Sequence, residues 1–246
     1  MDKQVAIVTG GGGGLGVAVC KSLAQTGATV ICADLGDAST RAATVFDDLG
    51  LMVEPAQCDV ANSEAAIALR DNIIARHGQI DILVNLAGVA RNDKLVDVTD
   101  EDFDLTLSSN VRGTMNMMRA FAPHMKERGY GRIINTSSVA ALGSIAGTSY
   151  TAAKGAIEAM TRTAAMEFAR YGITVNCVAP GIINTGMFQQ QPERARNHML
   201  DRTPMRRAGD PMEIAACYRF LSTRDASYVT GQTLYACGGV SVGDFR

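Results

Sequence analysis

The sequence predicts an α/β fold, a doubly wound parallel sheet of about seven strands with helices on both faces. Three observations predict it. Short β-branched runs alternate with longer helical stretches along all 246 residues, the pattern of successive strand–helix–strand units. The strand runs are almost continuously apolar, as expected for strands covered on both sides. A glycine-rich turn joins the first strand run to the first helical one.

The elements follow in order. "QVAIVTG" reads as a strand and residues 16–26 as a helix; "ATVICAD" is a strand, and 38–50 a helix. "MVEPAQCDV" is a strand before a helix over 63–77, and "IDILVNLAG" a strand before a mostly helical stretch over 101–128. "GRIINTSS" precedes a helix over 149–171, "ITVNCVAPG" is the sixth strand, and a helix over 210–222 leads to the last strand, "GQTLYAC". No linker, repeat or low-complexity segment interrupts this, so residues 1–246 read as a single domain. Residues 186–209 are polar, Met-rich and without a clean period. An irregular insertion of that length in a compact fold is expected to be a substrate-binding lid.

Composition excludes several functions. Lys and Arg total 23 against 25 Asp and Glu, which lacks the basic excess of a nucleic-acid surface. The six cysteines show neither a CxxC pair nor zinc-ligand spacing, so no metal is expected. Several lie in apolar runs and read as small buried hydrophobes, and reduced thiols fit a cytoplasmic protein. The N-terminal "MDKQVAIVTG" has neither a signal-peptide core nor a cleavage site, and no run of 18 apolar residues offers a membrane span.

"TGGGGGLG" spans Thr9 to Gly16. A pyrophosphate at a helix N-terminus needs aimed backbone N–H groups and no side chain in the way, and glycines meet both needs. Lys21-Ser22 suggests a P-loop, but Cys20 rather than glycine precedes the lysine, which falls inside the helix. Gly10, Gly14 and Gly16, with Leu15 between the last two, therefore read as a dinucleotide turn. Asp34 ends the second strand, followed by Leu35. A carboxylate there accepts hydrogen bonds from ribose hydroxyls and repels a 2′-phosphate. No basic residue follows before Arg41. The expected cofactor is NAD.

Tyr150 and Lys154 are four residues apart, so they share a helix face, and they open the helix after the fifth strand, where such sheets bind ligands. A phenol titrates near pH 10, and bringing it near 7 requires about 4 kcal/mol of differential stabilisation. A neighbouring ammonium favours the phenolate, so Lys154 is expected to make Tyr150 a usable acid/base.

With "CDV" at 58–60, "NLAG" at 85–88, "SSNVRG" around Asn110, "NTSS" at 135–138, "YTAAK" at 150–154 and "NCVAPGIINT" at 176–185, the whole chain resembles the short-chain dehydrogenase/reductase family, with its Rossmann-type fold. The resemblance implies that Tyr150 exchanges a proton with the substrate oxygen, that Lys154 binds the nicotinamide ribose, and that Asn110 holds a water in a proton relay. It places Asp59 and Val60 at adenine, Asn85, Ala87 and Gly88 at the ribose, and Pro180, Gly181, Ile183 and Thr185 at the carboxamide. In the family the working serine is the second of "SS" and lies 13 residues before the tyrosine. Here Ser138 meets the first criterion and Ser137 the second. Side-chain direction alternates along a strand, whereas loops absorb length changes, which favours Ser138. "NLAG" and "CGG" stand where the family commonly has "NNAG" and "DGG".

The reading is an NAD-dependent oxidoreductase of a secondary alcohol or ketone. The alternatives are a 3-oxoacyl-thioester reductase or hydroxyacyl-CoA dehydrogenase, and a non-catalytic dinucleotide sensor. The lid offers Met187, Phe188, Met199 and Met205 beside Arg194, Arg196, Arg202, Arg206 and Arg207, a set that suits an apolar substrate with an anionic handle or else a solvated face. His198 is the one histidine placed to touch substrate; His77 and His124 read as surface residues at helix ends. Family members are often tetramers packed through helices that correspond to 101–128 and 149–171, so a homotetramer is expected.

Overall fold

The computed structural model describes residues 4–47 and 49–242; the side chains of Arg41, Ala43, Val45 and Met187 also lie outside the described set. One parallel sheet carries all seven strands in the order β3-β2-β1-β4-β5-β6-β7. These are β1 (Val5–Thr9), β2 (Thr29–Asp34), β3 (Val53–Gln57), β4 (Ile82–Asn85), β5 (Gly131–Thr136), β6 (Ile173–Pro180) and β7 (Thr233–Ala236). β1, β4, β5 and β6 are buried along their whole length, because helices cover both faces and no strand position can face water.

α1 (Gly14–Ala24), α2 (Ala38–Asp47) and α9 (Pro211–Ser222) cover one face, with Val19, Leu23, Phe46, Tyr218 and Leu221 in its core. α3 (Ser63–His77), α5 (Gly113–Arg128) and α6 (Thr148–Phe168) cover the other, where Ile73, Met117, Phe121 and Met125 pack on Ile7, Leu83 and Ile133. α9 starts at a capping box: Asp210 accepts from the Met212 N–H at 2.7 Å, and Glu213 accepts from the Asp210 N–H at 2.8 Å. This satisfies N–H groups that have no partner within the helix.

The order reverses at β1, which pairs with β2 on one side and β4 on the other. Chains leaving the carboxyl ends of β1 and β4 turn to opposite faces and open a crevice between them.

Two stretches gain detail that the sequence did not show. The stretch over 101–128 begins as α4 (Asp100–Leu107), and one π-helical turn over Ser108–Arg112 separates α4 from α5. The aperiodic 186–209 segment contains α7 (Gly186–Gln189) and α8 (Glu193–Asp201). Its ends close on each other, since Ile183 bridges Gly209 and the Gly209 N–H reaches the Ile182 carbonyl at 2.9 Å. Helices this short, α8 among them with no buried side chain, leave too little apolar period to read. Among the described residues, no helix is long and apolar enough to cross a membrane and no cluster of acidic, His and Cys side chains could hold a metal.

Candidate active site

The glycine turn is shaped by contacts that leave no room for side chains. Gly10 has φ +67°, and a Cβ there would lie 2.8 Å from the Ala87 backbone. The first turn of α1 carries no side-chain cap and no acidic residue, so its N–H groups stay open to an anion. Thr185, arriving from β6, lies over Gly14; a Cβ on that glycine would be 3.1 Å from the threonine Cβ. The turn and the β6 exit therefore face one another across the crevice. Gly181 is pinned by its N–H to the Ala236 carbonyl at 3.0 Å.

Asp34 ends β2 half-buried. One carboxylate oxygen accepts from the Gly12 N–H at 2.9 Å and the other from the Leu35 N–H at 2.7 Å. A carboxylate has about four acceptor positions, so capacity for further donors remains. Leu35 is exposed beside it, as is Asp59 at the next strand's exit, where it accepts from the Ala61 N–H at 2.9 Å. Val60 is buried against Gly113.

β4 ends in Asn85, only 3% exposed, whose amide donates to Asn135 on β5 at 2.9 Å. Its side chain thus ties two strands together within the sheet, and its Oδ1 has no partner. Thr9 does what no motif suggested: its hydroxyl accepts from both Leu86 and Ala87 N–H groups, at 3.1 and 3.2 Å. That bond holds the chain after β4 against the glycine turn. Gly88 follows, exposed, in contact with Asn110. Asn110 sits fully buried on the π turn and donates to the Val89 and Thr106 carbonyls at 2.8 and 2.9 Å. The turn's irregularity is held in place by this side chain.

Tyr150 and Lys154 lie on the first turns of α6. The Lys154 ammonium is 5.2 Å from the Tyr150 ring centroid and donates to the Thr136 carbonyl at 3.0 Å. Its burial pulls its pKa down to about 8, because an ammonium removed from water is disfavoured. Tyr150 is shifted upward, chiefly by its own burial, while a hydrogen bond with the Ser138 side chain opposes the rise. Burial is the larger influence on the Tyr150 phenol, and Ser138 opposes it.

The two serines part company. Ser138 is extended, φ −164° and ψ 157°, caps the 3₁₀ turn over Val139–Leu142 by accepting from the Ala140 N–H at 3.1 Å, and meets Tyr150. Ser137 is buried and donates to Glu158 at 2.8 Å. The histidines also separate. His198 is exposed on α8, and His77 bonds Glu54 at 3.2 Å. His124 departs from the surface reading, since it lies inside α5 with a buried Nε2 that has no partner. All six cysteines are free, and all but Cys217 are buried.

A family model described as enoyl-(acyl carrier protein) reductase matches residues 11–241. The chain belongs to the short-chain dehydrogenase/reductase family. It is an oxidoreductase of that family, and relatives and solved structures agree with it over nearly full length. A subunit of a hydroxy(phenyl)methylsuccinyl-CoA dehydrogenase of Thauera aromatica is 40% identical over 244 residues, 98% of each chain. A 3-oxoacyl acyl-carrier-protein reductase of Thermotoga maritima is 36% identical over 98% of this chain and 99% of its own. The crystal structure of levodione reductase superposes with a TM-score of 0.93 at 31% identity, covering 98% of both chains. The short-chain dehydrogenase/reductase architecture thus accounts for the strand order and for the crevice that gathers the glycine turn, Asp34, Ser138, Tyr150 and Lys154.

Proposed function

We propose that this protein is an NAD-dependent oxidoreductase that interconverts a secondary alcohol and its ketone. The observation that carries the reading is the Tyr150–Lys154 pair on the first turns of α6, a buried ammonium 5.2 Å from the Tyr150 ring centroid, with Ser138 close enough to oppose the upward shift of the phenol. The uncapped α1 N-terminus and the glycines that admit no side chain fit a dinucleotide pyrophosphate.

Gly10, Gly14, Leu15 and Gly16 would hold the phosphates and Asp34 with Leu35 the adenosine ribose. Asp59 and Val60 would face adenine; Asn85, Ala87 and Gly88 would line the floor; Pro180, Gly181, Ile183 and Thr185 would face the carboxamide. When bound, the nicotinamide supplies hydride for reduction or accepts it in oxidation. The protein handles the proton. In reduction, the Tyr150 hydroxyl gives its proton to the substrate oxygen while the Ser138 hydroxyl donates a hydrogen bond to the same atom. The Lys154 ammonium stabilises the phenolate left behind, and Asn110 anchors the turn beside the relay. Oxidation runs the same steps backward, with the phenolate taking the alcohol proton. Asp34 supports NAD over NADP by placing negative charge where a 2′-phosphate would sit. The expected carboxylate–ribose bonds use the acceptor positions that the Gly12 and Leu35 N–H groups leave free.

A thioester substrate, as in a 3-oxoacyl reductase or hydroxyacyl-CoA dehydrogenase, is favoured as a second reading by the names of the relatives. Exposed Arg194 and Arg202 on the 186–209 segment support it, with that segment as lid over residues of a single catalytic domain. Free buried thiols suit a reducing compartment such as the cytoplasm. Assembly as a homotetramer is supported by the exposed Met166 on α6, 78% accessible.

The test is NADH absorbance at 340 nm with acetoacetyl-CoA, 3-oxoacyl thioesters and a panel of cyclic and linear ketones, with NADPH in parallel. Turnover that prefers NADH upholds the reading. Turnover with NADPH alone overturns the assignment of Asp34. Dinucleotide binding without turnover on every class returns the sensor alternative.

A further inference from the structure

Glu158 lies one turn beyond Lys154 on the same face of α6, outside every motif read from the sequence. A single oxygen of its carboxylate accepts two hydroxyl hydrogen bonds, from Ser137 at 2.8 Å and from Tyr235 on β7 at 3.0 Å. Ser137 also reaches the Lys154 carbonyl at 3.3 Å, and its N–H bonds the Val178 carbonyl of β6 at 2.8 Å. One carboxylate therefore joins the end of β5, the helix that bears Tyr150 and Lys154, and the last strand. Burial above all holds the Tyr235 phenol and the Cys177 thiol up at about 12, and the half-buried Glu158 carboxylate adds to both rises, while Lys154 opposes that of Cys177. Arg162, a turn further along, acts on Tyr235 in the opposite sense.

Ser137 and Ser138 are adjacent in extended backbone and point to opposite sides. Fixing the first fixes the direction of the second. We propose that Glu158 is a positioning residue of the active site: by holding Ser137, it aims the Ser138 hydroxyl at Tyr150. The inference rests on the Ser138–Tyr150 pair of the proposed function. A carboxylate suits the task because it only accepts and its charge strengthens the bond: among the acceptors within reach of the Ser137 hydroxyl, Glu158 at 2.8 Å is nearer than the Lys154 carbonyl at 3.3 Å.

The test is the ¹³Cζ resonance of Tyr150 at pH 8 in enzyme labelled at its tyrosines, assigned by its loss in Tyr150→Phe. NADH affinity, read by fluorescence, serves as the control. Ser138→Ala should move the resonance. Glu158→Ala should move it to the same position with NADH affinity within about twofold of wild type, since the dinucleotide turn is untouched. Glu158→Gln keeps an acceptor oxygen at that place and should restore the wild-type position. If Glu158→Ala does not fold, Ser137→Ala removes the same tie from the other side, with the same shift expected. The proposal is overturned if either truncation leaves the resonance at its wild-type position while Ser138→Ala moves it, or if Glu158→Gln fails to restore it. If Ser138→Ala itself moves nothing, the Ser138–Tyr150 contact is absent and the parent reading falls with the proposal.

Discussion

At the residue scale, the Tyr150–Lys154 pair concentrates the opposing demands of burial and charge. A phenol pushed up by burial keeps its proton at neutral pH, so Tyr150 enters reduction in the form that can protonate the substrate oxygen, and Tyr150→Phe should remove about 10²- to 10⁴-fold of turnover and leave NADH binding near wild type. A stopped assay over hours with a fluorescence titration checks both; undiminished turnover would end the acid/base assignment. Lys154 carries a stability cost with a definite sign. Its pKa falls from the ordinary 10.5 to about 8 on folding, so the fold disfavours the charged form. The cost is full below pH 8 and fades as pH rises from 8 to 10.5, where the unfolded chain also loses its proton. It amounts to about 3 kcal/mol, less about 1 kcal/mol for the bond to Thr136. Lys154→Met should therefore raise Tm at pH 7, and the gain should shrink by pH 10. Calorimetry at both values reads this directly, and a destabilised variant at pH 7 would show that the bond to Thr136 outweighs burial. The serine question belongs here too. Counting residues back from the tyrosine and strand alternation favour different serines; in the folded chain the Ser137 hydroxyl, just past β5, turns to α6 and Glu158, while Ser138 lies near Tyr150.

At the element scale, the glycine turn and the α9 cap show how local chemistry sets the crevice. Gly10 combines a left-handed φ with a backbone neighbour 2.8 Å from any added Cβ. Gly10→Ala should cost about 2 kcal/mol or more and lose NADH affinity more than tenfold, measured by denaturant melts and fluorescence. Unchanged affinity would detach the turn from dinucleotide binding. Asp210→Ala removes one N-cap acceptor of α9, worth about 1 kcal/mol, and should lower Tm by about 2–4 °C. NADH affinity should hold, because α9 packs behind α1 rather than at its tip; a tenfold loss of affinity would place α9 within the site's support. The π turn at Ser108–Arg112 was unreadable beforehand. An extra residue in one helical turn leaves the apolar pattern nearly intact, and only the bonds of Asn110 to Val89 and Thr106 show why the helix tolerates it.

At the scale of the whole molecule, apolar side chains remain on the surface of helices that the resemblance assigns to subunit contact. Met166 on α6 and Met115 on α5 are 78% and 41% exposed. Light scattering after size exclusion should give a tetramer for the wild type and a smaller species for Met166→Glu. A wild-type monomer would reject the assembly.

The seven strands, their parallel order of appearance and the glycine turn were legible in the sequence, because burial on both faces leaves continuous apolar runs and because phosphate approach excludes side chains. Tyr150, Lys154 and Asp34 were legible for the same kind of reason: each sits at the carboxyl end of a strand or the start of the helix after it. Tertiary structure alone decided which serine meets the tyrosine, that burial governs the Tyr150 and Lys154 protons, and that the 186–209 segment folds into short helices closed at Ile183 and Gly209. It also revealed Thr9 and Glu158. These depend on contacts between residues tens of positions apart, Thr9 with Ala87 and Glu158 with Ser137 and Tyr235, and no local period or propensity records a partner that only folding brings near.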